Sequence, residues 1–384
     1  YITKHYEDKI MQQESAKIKI GVLYGGRSGE HDVSLCSAAS AVLALNTKKY
    51  EIIAIGIDRD GKWYVQDTPE IVPHKDFGKV LSLKKRGMWL VNHFEQENKL
   101  SLYNLESNGE KVTVDIVFPV LHGTFCEDGT LQGLLELAMV PYVGADVIGS
   151  AVGMDKDVAK RLLHEAGIPV VPSLTVNRQQ WQNNQQSIME NAVNKLGLPL
   201  FVKPVCAGSS VGVKKVKERA MFAEAMDFAL QFDVRVIIEQ AIDCREIECA
   251  VLGNEDPTAS VLGEITSNHE FYSYEAKYID PAGAVSRIPA QIDGSLSEAI
   301  RKTAVAGYLA LGCSSMARVD FFLDKKSNEF YLNEINTLPG FTSISMYPKL
   351  WEATGLQYSD LLDRLIALAQ ERHKRKLAIK TEVS

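Results

Sequence analysis

The chain has 384 residues, 46% of them hydrophobic and 24% charged, a globular composition too long for one ordinary core, so two or three domains are expected. Its net charge of −7 speaks against a nucleic-acid partner, and no apolar run reaches the length of a membrane crossing, so no membrane partner is expected either. The N-terminus lacks a leader-like apolar segment. Six scattered cysteines (Cys36, Cys126, Cys206, Cys244, Cys249 and Cys313) show no CxxC pair, which points to free thiols and a cytoplasmic location.

Residues 1–10, ahead of Met11, carry no pattern of a folded element and read as an extension. Residues 18–24 read as a buried strand, followed by the loop Gly25-Gly26-Arg27-Ser28-Gly29-Glu30 and a helix over 32–45 with Asp32 as N-cap. A second strand spans 52–57, the turn Asp58-Arg59-Asp60-Gly61 follows, and 62–65 returns. A third apolar strand over 114–120 runs into Leu121-His122-Gly123, and 129–139 has helical period. This alternation predicts a parallel α/β unit over residues 17–148.

A helix over 151–166 comes next, closed by Gly167. A strand over 200–204 leads into the small-residue loop Cys206-Ala207-Gly208-Ser209-Ser210-Val211-Gly212. A strand over 213–216, a helix over 221–232 and a strand over 236–239 complete a small α+β unit, residues 149–238. Strands dominate residues 239–384: 246–252, 259–265 and a hairpin, with a helix over 296–311 packed among them. The polar, Tyr-rich stretch 266–287 has the length and composition of a lid. The basic run 372–376 reads as the solvated end of an apolar-periodic helix.

The hairpin is the most informative pattern. Residues 317–322 and 331–337 are apolar runs with polar residues two apart, which is strand spacing. Folding about Ser327 sets Asp320 opposite Glu334 and Arg318 opposite Asn336. Two carboxylates directly across a ladder repel, unless a cation lies between them. Two carboxylates and an amide suit Mg²⁺, and Arg318 beside them can stabilise a developing anion. Taken alone, the pattern is also that of a solvated strand face.

Other motifs are weaker singly. Lys203-Pro204 before Gly208-Ser209-Ser210-Val211-Gly212 suits a phosphate loop or equally a structural turn, and it is not GxxxxGK[ST]. Lys160 could reach a phosphate from its helix. Glu239, at a strand end, and Glu246 could hold an adenosine. His122 lies where parallel sheets bind ligands.

Together, these segments resemble the D-alanine–D-alanine ligase family of the ATP-grasp superfamily. The matching stretches are residues 25–34, 121–123 with 127–133, 154–156, 202–204 with 208–210, 274–278, 317–320 and 333–343. The resemblance implies an ATP-grasp fold, in which an N-terminal α/β domain (17–148) precedes two α+β subdomains (149–238 and 239–384) that clasp ATP. It implies that two D-alanines are joined through an acyl phosphate for peptidoglycan precursor synthesis, with D-serine or D-lactate as the alternative second substrate.

The resemblance also implies roles for individual residues. Lys160, Lys203 and Lys277 would contact ATP phosphates. Glu239, Ile242 and Glu246 would hold the adenosine. Asp320, Glu334 and Asn336 would carry two Mg²⁺ ions, with Mn²⁺ as a substitute. Arg318 and the Gly340 N–H would form the oxyanion site. Glu30, with His122 nearby, would anchor the first D-alanine, and Ser345 and Met346 the second substrate's carboxylate. Glu30, Ser209 and Tyr278 would link the lid. A homodimer is expected. Two departures stand out: Gln240, where some relatives place a lysine, and Phe125-Cys126 ahead of Glu127.

Overall fold

The computed structural model describes residues 17–92, 98–107, 109–267 and 284–380. The first part contains β1 (Ile18–Gly25), α1 (His31–Ala44), β2 (Tyr50–Ile57), β3 (Trp63–Val65), β4 (Ile71–His74), β5 (Gly78–Leu81), β6 (Trp89–Asn92), β7 (Leu100–Asn104), β8 (Lys111–Val114), β9 (Ile116–Val120) and α2 (Thr130–Leu137). Its main sheet has the order β3-β2-β1-β9, with β1 parallel to both β2 and β9. Apolar residues on both faces of β1, from Ile20 to Tyr24, are buried, as a covered parallel strand requires.

Several expectations need correction here. Asp32 is not the N-cap of α1; Glu30 is, without a side-chain cap bond. Residues 114–120 are two strands, because the Asp115 carboxylate accepts the Lys19 N–H at 2.8 Å and the chain breaks there. Between residues 66 and 114 lie two small antiparallel sheets, β4-β5 and β6-β7-β8, that periodicity did not announce.

The second part runs through α3 (Val147–Met154), α4 (Lys156–Glu165), β10 (Ser173–Asn177), α5 (Arg178–Leu196), β11 (Leu200–Pro204), β12 (Lys214–Val216), α6 (Phe222–Ala229) and β13 (Arg235–Gln240). The expected single helix over 151–166 is two. Asp155 turns out of helical geometry and caps α4 by accepting from the Asp157 and Val158 N–H groups. The antiparallel sheet has the order β10-β13-β11-β12.

The third part comprises β14 (Cys244–Gly253), β15 (Thr258–Ser267), β16 (Ala284–Arg287), α7 (Gly294–Ala310), β17 (Ser315–Asp324), β18 (Phe330–Asn336), α8 (Met346–Thr354) and α9 (Tyr358–Leu377). Its antiparallel sheet has the order β16-β15-β14-β17-β18. One face (Ile247, Cys249, Val251, Val319, Phe321, Leu332) packs on Leu163, Ile300, Ala304 and Tyr308. Of the alternate residues, Glu246, Glu248, Arg318 and Asp320 face the site, and Ala250, Leu252 and Met316 pack in a second core.

A second core joins the first and third parts. Ile20, Val22 and Tyr24 share a buried cluster with Phe341, Tyr347, Leu350, Leu361 and Leu365. Each such side chain contributes roughly 1.5–3 kcal/mol on burial, so the segment 337–345 is held over the ends of β1 and β9. Arg372 departs from expectation as well. It donates to Gly144 O, to Tyr142 O at 2.8 Å and to Ser314 Oγ at 2.7 Å, while Lys374, Arg375 and Lys376 are exposed in the last turn of α9 as expected.

Candidate active site

The loops at the C-terminal ends of β1 and β9, where parallel sheets carry ligands, form one wall. Glu30 closes the first loop. Gly123 turns the chain after β9 at φ +78°, and a Cβ there would come within 2.9 Å of Glu30 Oε2. The positive φ favours glycine, and a Cβ would push the Glu30 carboxylate aside. The Gly123 N–H donates to Glu127 Oε2 at 3.1 Å. Burial, reinforced by the Glu30 charge, raises the Glu127 carboxyl well above the usual range.

His122 is buried between two elements. Its Nδ1 lies 3.2 Å from Leu338 O and its Nε2 3.1 Å from Ser37 Oγ. A carbonyl only accepts, so Nδ1 carries the hydrogen and Nε2 accepts from Ser37. Burial lowers its pKa, in keeping with a neutral ring. His122 thus ties β9 and α1 to the segment that carries Gly340.

The loop between β11 and β12 is the second wall. Ser209 (φ +50°) and Ser210 (φ +59°) occupy the left-handed region, at about 1–3 kcal/mol each. The Ser209 hydroxyl donates to Glu30 Oε1, which offsets part of that strain. Lys156, in the first turn of α4, reaches the same loop: its Nζ donates to Ala207 O at 2.7 Å and lies 3.9 Å from Glu334 Oε2.

The floor is the polar face of the third sheet. Asp320 pairs with Glu334 and Arg318 with Asn336, the register expected from the alternating polar residues, with a bulge just beyond. Arg318 grips Asp320 through Nε–Oδ1 (2.8 Å) and Nη2–Oδ2 (2.6 Å), and Asn336 Nδ2 donates to Asp320 Oδ2 at 3.0 Å. Burial opposes the Arg318 charge, but Asp320 and Glu248 outweigh it. Asp320, Glu334 and Asn336 fit a hard divalent cation: two carboxylates stand opposed in a ladder, with an amide in contact with one of them. Among the described residues, no three His, Cys, Asp or Glu side chains converge to hold a metal.

Behind this cavity lies a buried triad. Glu239, 2% exposed, receives Lys160 Nζ at 2.8 Å and Lys203 Nζ at 2.5 Å. Burial opposes its ionisation, yet the two ammonium groups hold its carboxyl at about 2. Burial lowers the Lys160 pKa, whereas Glu239 outweighs burial at Lys203 and raises it.

The cavity is lined by Lys156, Lys203, Ser209, Glu246, Glu248, Arg318, Asp320 and Glu334, among others, with Phe201, Phe321 and Phe322 as its aromatic part. Lys160 is not among its lining residues; Lys156, one turn earlier, takes that place. Glu239 and Ile242 also stand back from it, Glu239 among the lysines and Ile242 in the link between β13 and β14. Gly340 lies beside Ser345, whose Oγ accepts from the Thr342 N–H at 3.0 Å. Ser345 precedes α8, and Met346 is its first residue, with the side chain buried in the shared core. Lys277 and Tyr278 lie outside the described residues, as does most of the expected lid.

Sequence reasoning passed over Lys156, Glu127 and Glu248 as site residues. Lys156 stands four residues before Lys160, on the same helical side. Glu246 and Glu248 repeat the two-residue spacing of Arg318 and Asp320. Those were the available signals.

Most of the chain is similar to known proteins. The family described as D-ala D-ala ligase N-terminus matches residues 19–145, and D-ala D-ala ligase C-terminus matches residues 162–367. The chain is 48% identical over 366 residues to D-alanine–D-alanine ligase A of Salmonella typhimurium, covering 95% of this chain and 99% of that one. Identity to D-alanine–D-alanine ligase A of Escherichia coli K12 is 47% over 365 residues, with coverage of 95% and 99%. Among solved structures, the D-alanine-D-alanine ligase from Coxiella burnetii superposes with a TM-score of 0.76 at 37% identity, covering 94% of this chain and 97% of that chain. The VanG D-Ala:D-Ser ligase from Enterococcus faecalis gives 0.76 at 38%, covering 92% and 99%.

Proposed function

The chain belongs to the D-alanine–D-alanine ligase family, and we propose how its own residues join two D-alanines at the expense of ATP. The fold is ATP-grasp, and the enzyme is an ATP-dependent carboxylate–amine ligase that makes D-alanyl-D-alanine for peptidoglycan precursors. The observation that carries the reading is the convergence of Lys156, Lys203, Arg318, Asp320 and Glu334 on one cavity, walled by the Ser209–Glu30 contact.

In our reading ATP lies in this cavity, with its adenosine against Glu246 and the Phe201 and Phe322 rings and toward the link that carries Ile242, while Glu239 stands behind and holds the lysines. Lys203 and Lys277 neutralise its phosphates, and Lys156 replaces Lys160 in that role because it lines the cavity. Asp320, Glu334 and Asn336 would hold Mg²⁺, or Mn²⁺ in its place. When bound, the cation supplies charge neutralisation and orientation of the phosphate oxygens.

Glu30 receives the ammonium of the first D-alanine. The carboxylate oxygen of this D-alanine attacks the γ-phosphorus, ADP departs, and D-alanyl phosphate forms. Phosphoryl transfer of this kind is mostly positioning and charge stabilisation, so no protein nucleophile is needed. The second D-alanine, its carboxylate at Ser345 and the N–H groups opening α8, attacks the acyl carbon through its amine. Arg318 and the Gly340 N–H take the oxyanion. The amine attacks in its neutral form, and the proton that its nitrogen sheds on forming the amide is taken up by the departing phosphate. Ser209 and Tyr278, acting with Glu30, would keep water from the acyl phosphate.

The division at residues 17–148, 149–238 and 239–384 is part of this proposal, as are a homodimer and a cytoplasmic location, where ATP is at hand. No helix among the described residues is long and apolar enough to cross a membrane. The test is a product assay with ATP, Mg²⁺ and D-alanine alone or mixed with D-serine or D-lactate. D-alanyl-D-alanine as the main product is expected. Mixed D-alanyl-D-serine or D-alanyl-D-lactate as the main product would overturn the choice of second substrate.

A further inference from the structure

Three carboxylates stand in a row across the floor of the cavity. Glu248 on β14 pairs directly with Asp320 on β17, and Asp320 pairs directly with Glu334 on β18. Like charges at opposed ladder positions repel, so each needs a reason to be there. Asp320 and Glu334 have one in the cation assigned to them above. Glu248 stands on the far side of Asp320 from Glu334, and the three do not converge on one point as a metal centre would require. It is 6% exposed, lines the cavity, and places Oε2 3.1 Å from Arg318 Nε.

Arg318 is therefore flanked by two acids. The fork to Asp320 engages both oxygens of that carboxylate, at 2.8 and 2.6 Å, and Asn336 draws on one of them at 3.0 Å. A carboxylate offers about four lone-pair directions. A cation on Asp320 competes with the guanidinium for the same electron density, and without a second acid Arg318 and the cation would each weaken the other's hold.

We propose that Glu248 is a positioning residue. It is the counter-ion that keeps Arg318 aimed into the cavity when Asp320 is given over to the divalent cation. Its presence lets Asp320 serve the cation and Arg318 serve the oxyanion at the same time. The inference rests on the cation reading of Asp320 and Glu334.

The test compares wild type with Glu248→Gln, which keeps shape and removes charge, and with Glu248→Asp, which keeps charge. Circular dichroism and thermal denaturation check folding. Binding of Mn²⁺ in the presence of ADP is followed by the electron paramagnetic resonance of free Mn²⁺, a readout independent of turnover. Steady-state kinetics at saturating Mg²⁺ gives kcat and KM. For the glutamine variant, the Mn²⁺ dissociation constant is expected to rise at least threefold. Its kcat should fall at least tenfold, with KM for D-alanine within twofold of wild type. Glu248→Asp should recover at least half of the lost Mn²⁺ affinity, and it carries the test alone if the glutamine variant does not fold, with Mn²⁺ affinity near wild type and a reduced kcat. A variant that only melts earlier, with unmoved kcat and Mn²⁺ affinity, overturns the proposal and leaves Glu248 a structural charge. Equal Mn²⁺ binding by wild type and both variants overturns it while sparing the cation reading; no Mn²⁺ binding by wild type overturns both.

Discussion

The Ser209 hydroxyl donates to the Glu30 carboxylate across 179 residues of sequence, joining the loop of the second sheet to the loop that follows β1. Ser209→Ala removes that bond. A hydrogen bond to a charged group contributes about 1.5–3 kcal/mol, so kcat/KM for the first D-alanine should fall about 10- to 100-fold, and the thermal midpoint should fall with it. Phosphate release titrated against D-alanine checks it. Unaltered kinetics would make the contact incidental.

Glu334→Gln removes one of two opposed carboxylates from the proposed cation site. The ladder repulsion with Asp320 is relieved, so the fold should hold or gain slightly. Ligation should nearly vanish, by more than 100-fold, because phosphate charge is left uncompensated. Near-normal phosphate release at saturating Mg²⁺ would dismiss the assignment.

The lysines should separate by burial. Lys156→Ala, at the cavity wall, should raise the KM for ATP about tenfold while leaving stability intact. Lys160→Ala strips one partner from the buried Glu239 and should cost about 3–5 kcal/mol of stability. Lys203→Ala should do both, since Lys203 lines the cavity and also pairs with Glu239. Thermal denaturation beside ATP titration distinguishes the three, and identical behaviour would contradict the burial argument.

The same triad sets an acid limit. The Glu239 carboxyl is held at about 2 in the fold, against 4.5 for the free group. A depressed pKa contributes stability that is full above the unfolded value and lost as pH falls through the folded one. The thermal midpoint should therefore drop between about pH 4.5 and 2. Glu239→Gln, less stable at pH 7 because two buried ammonium groups lose their anion, should show a flatter profile across that window. Parallel profiles for the two proteins would remove Glu239 as the cause.

Two-residue periodicity was enough to pair Asp320 with Glu334 and Arg318 with Asn336, because a hairpin's register is local. The first strands, the loop before Lys214 and the helix α7 were legible for the same reason: each depends on neighbours within a few turns. Asp115 and Asp155 show where that reasoning failed. Each interrupts an apolar or helical pattern by bonding backbone N–H groups, and a pattern count does not register a single polar side chain that competes for the backbone.

What the sequence determined by itself was the set of chemical groups and their short-range spacing: the carboxylate hairpin, the lysine before a glycine loop, and the strand ends that carry Glu30 and His122. The tertiary structure alone decided which of them meet. Glu248 faces Asp320 only because β14 lies beside β17, 72 residues on. Lys156 rather than Lys160 reaches the cavity because Glu239 lies behind α4 and takes Lys160 into the core. Arg372 is half-buried and bound to backbone because α9 lies against Tyr142 and Ser314. Each of these turns on the lateral order of strands and the docking of helices, which distant burial sets and local propensity does not.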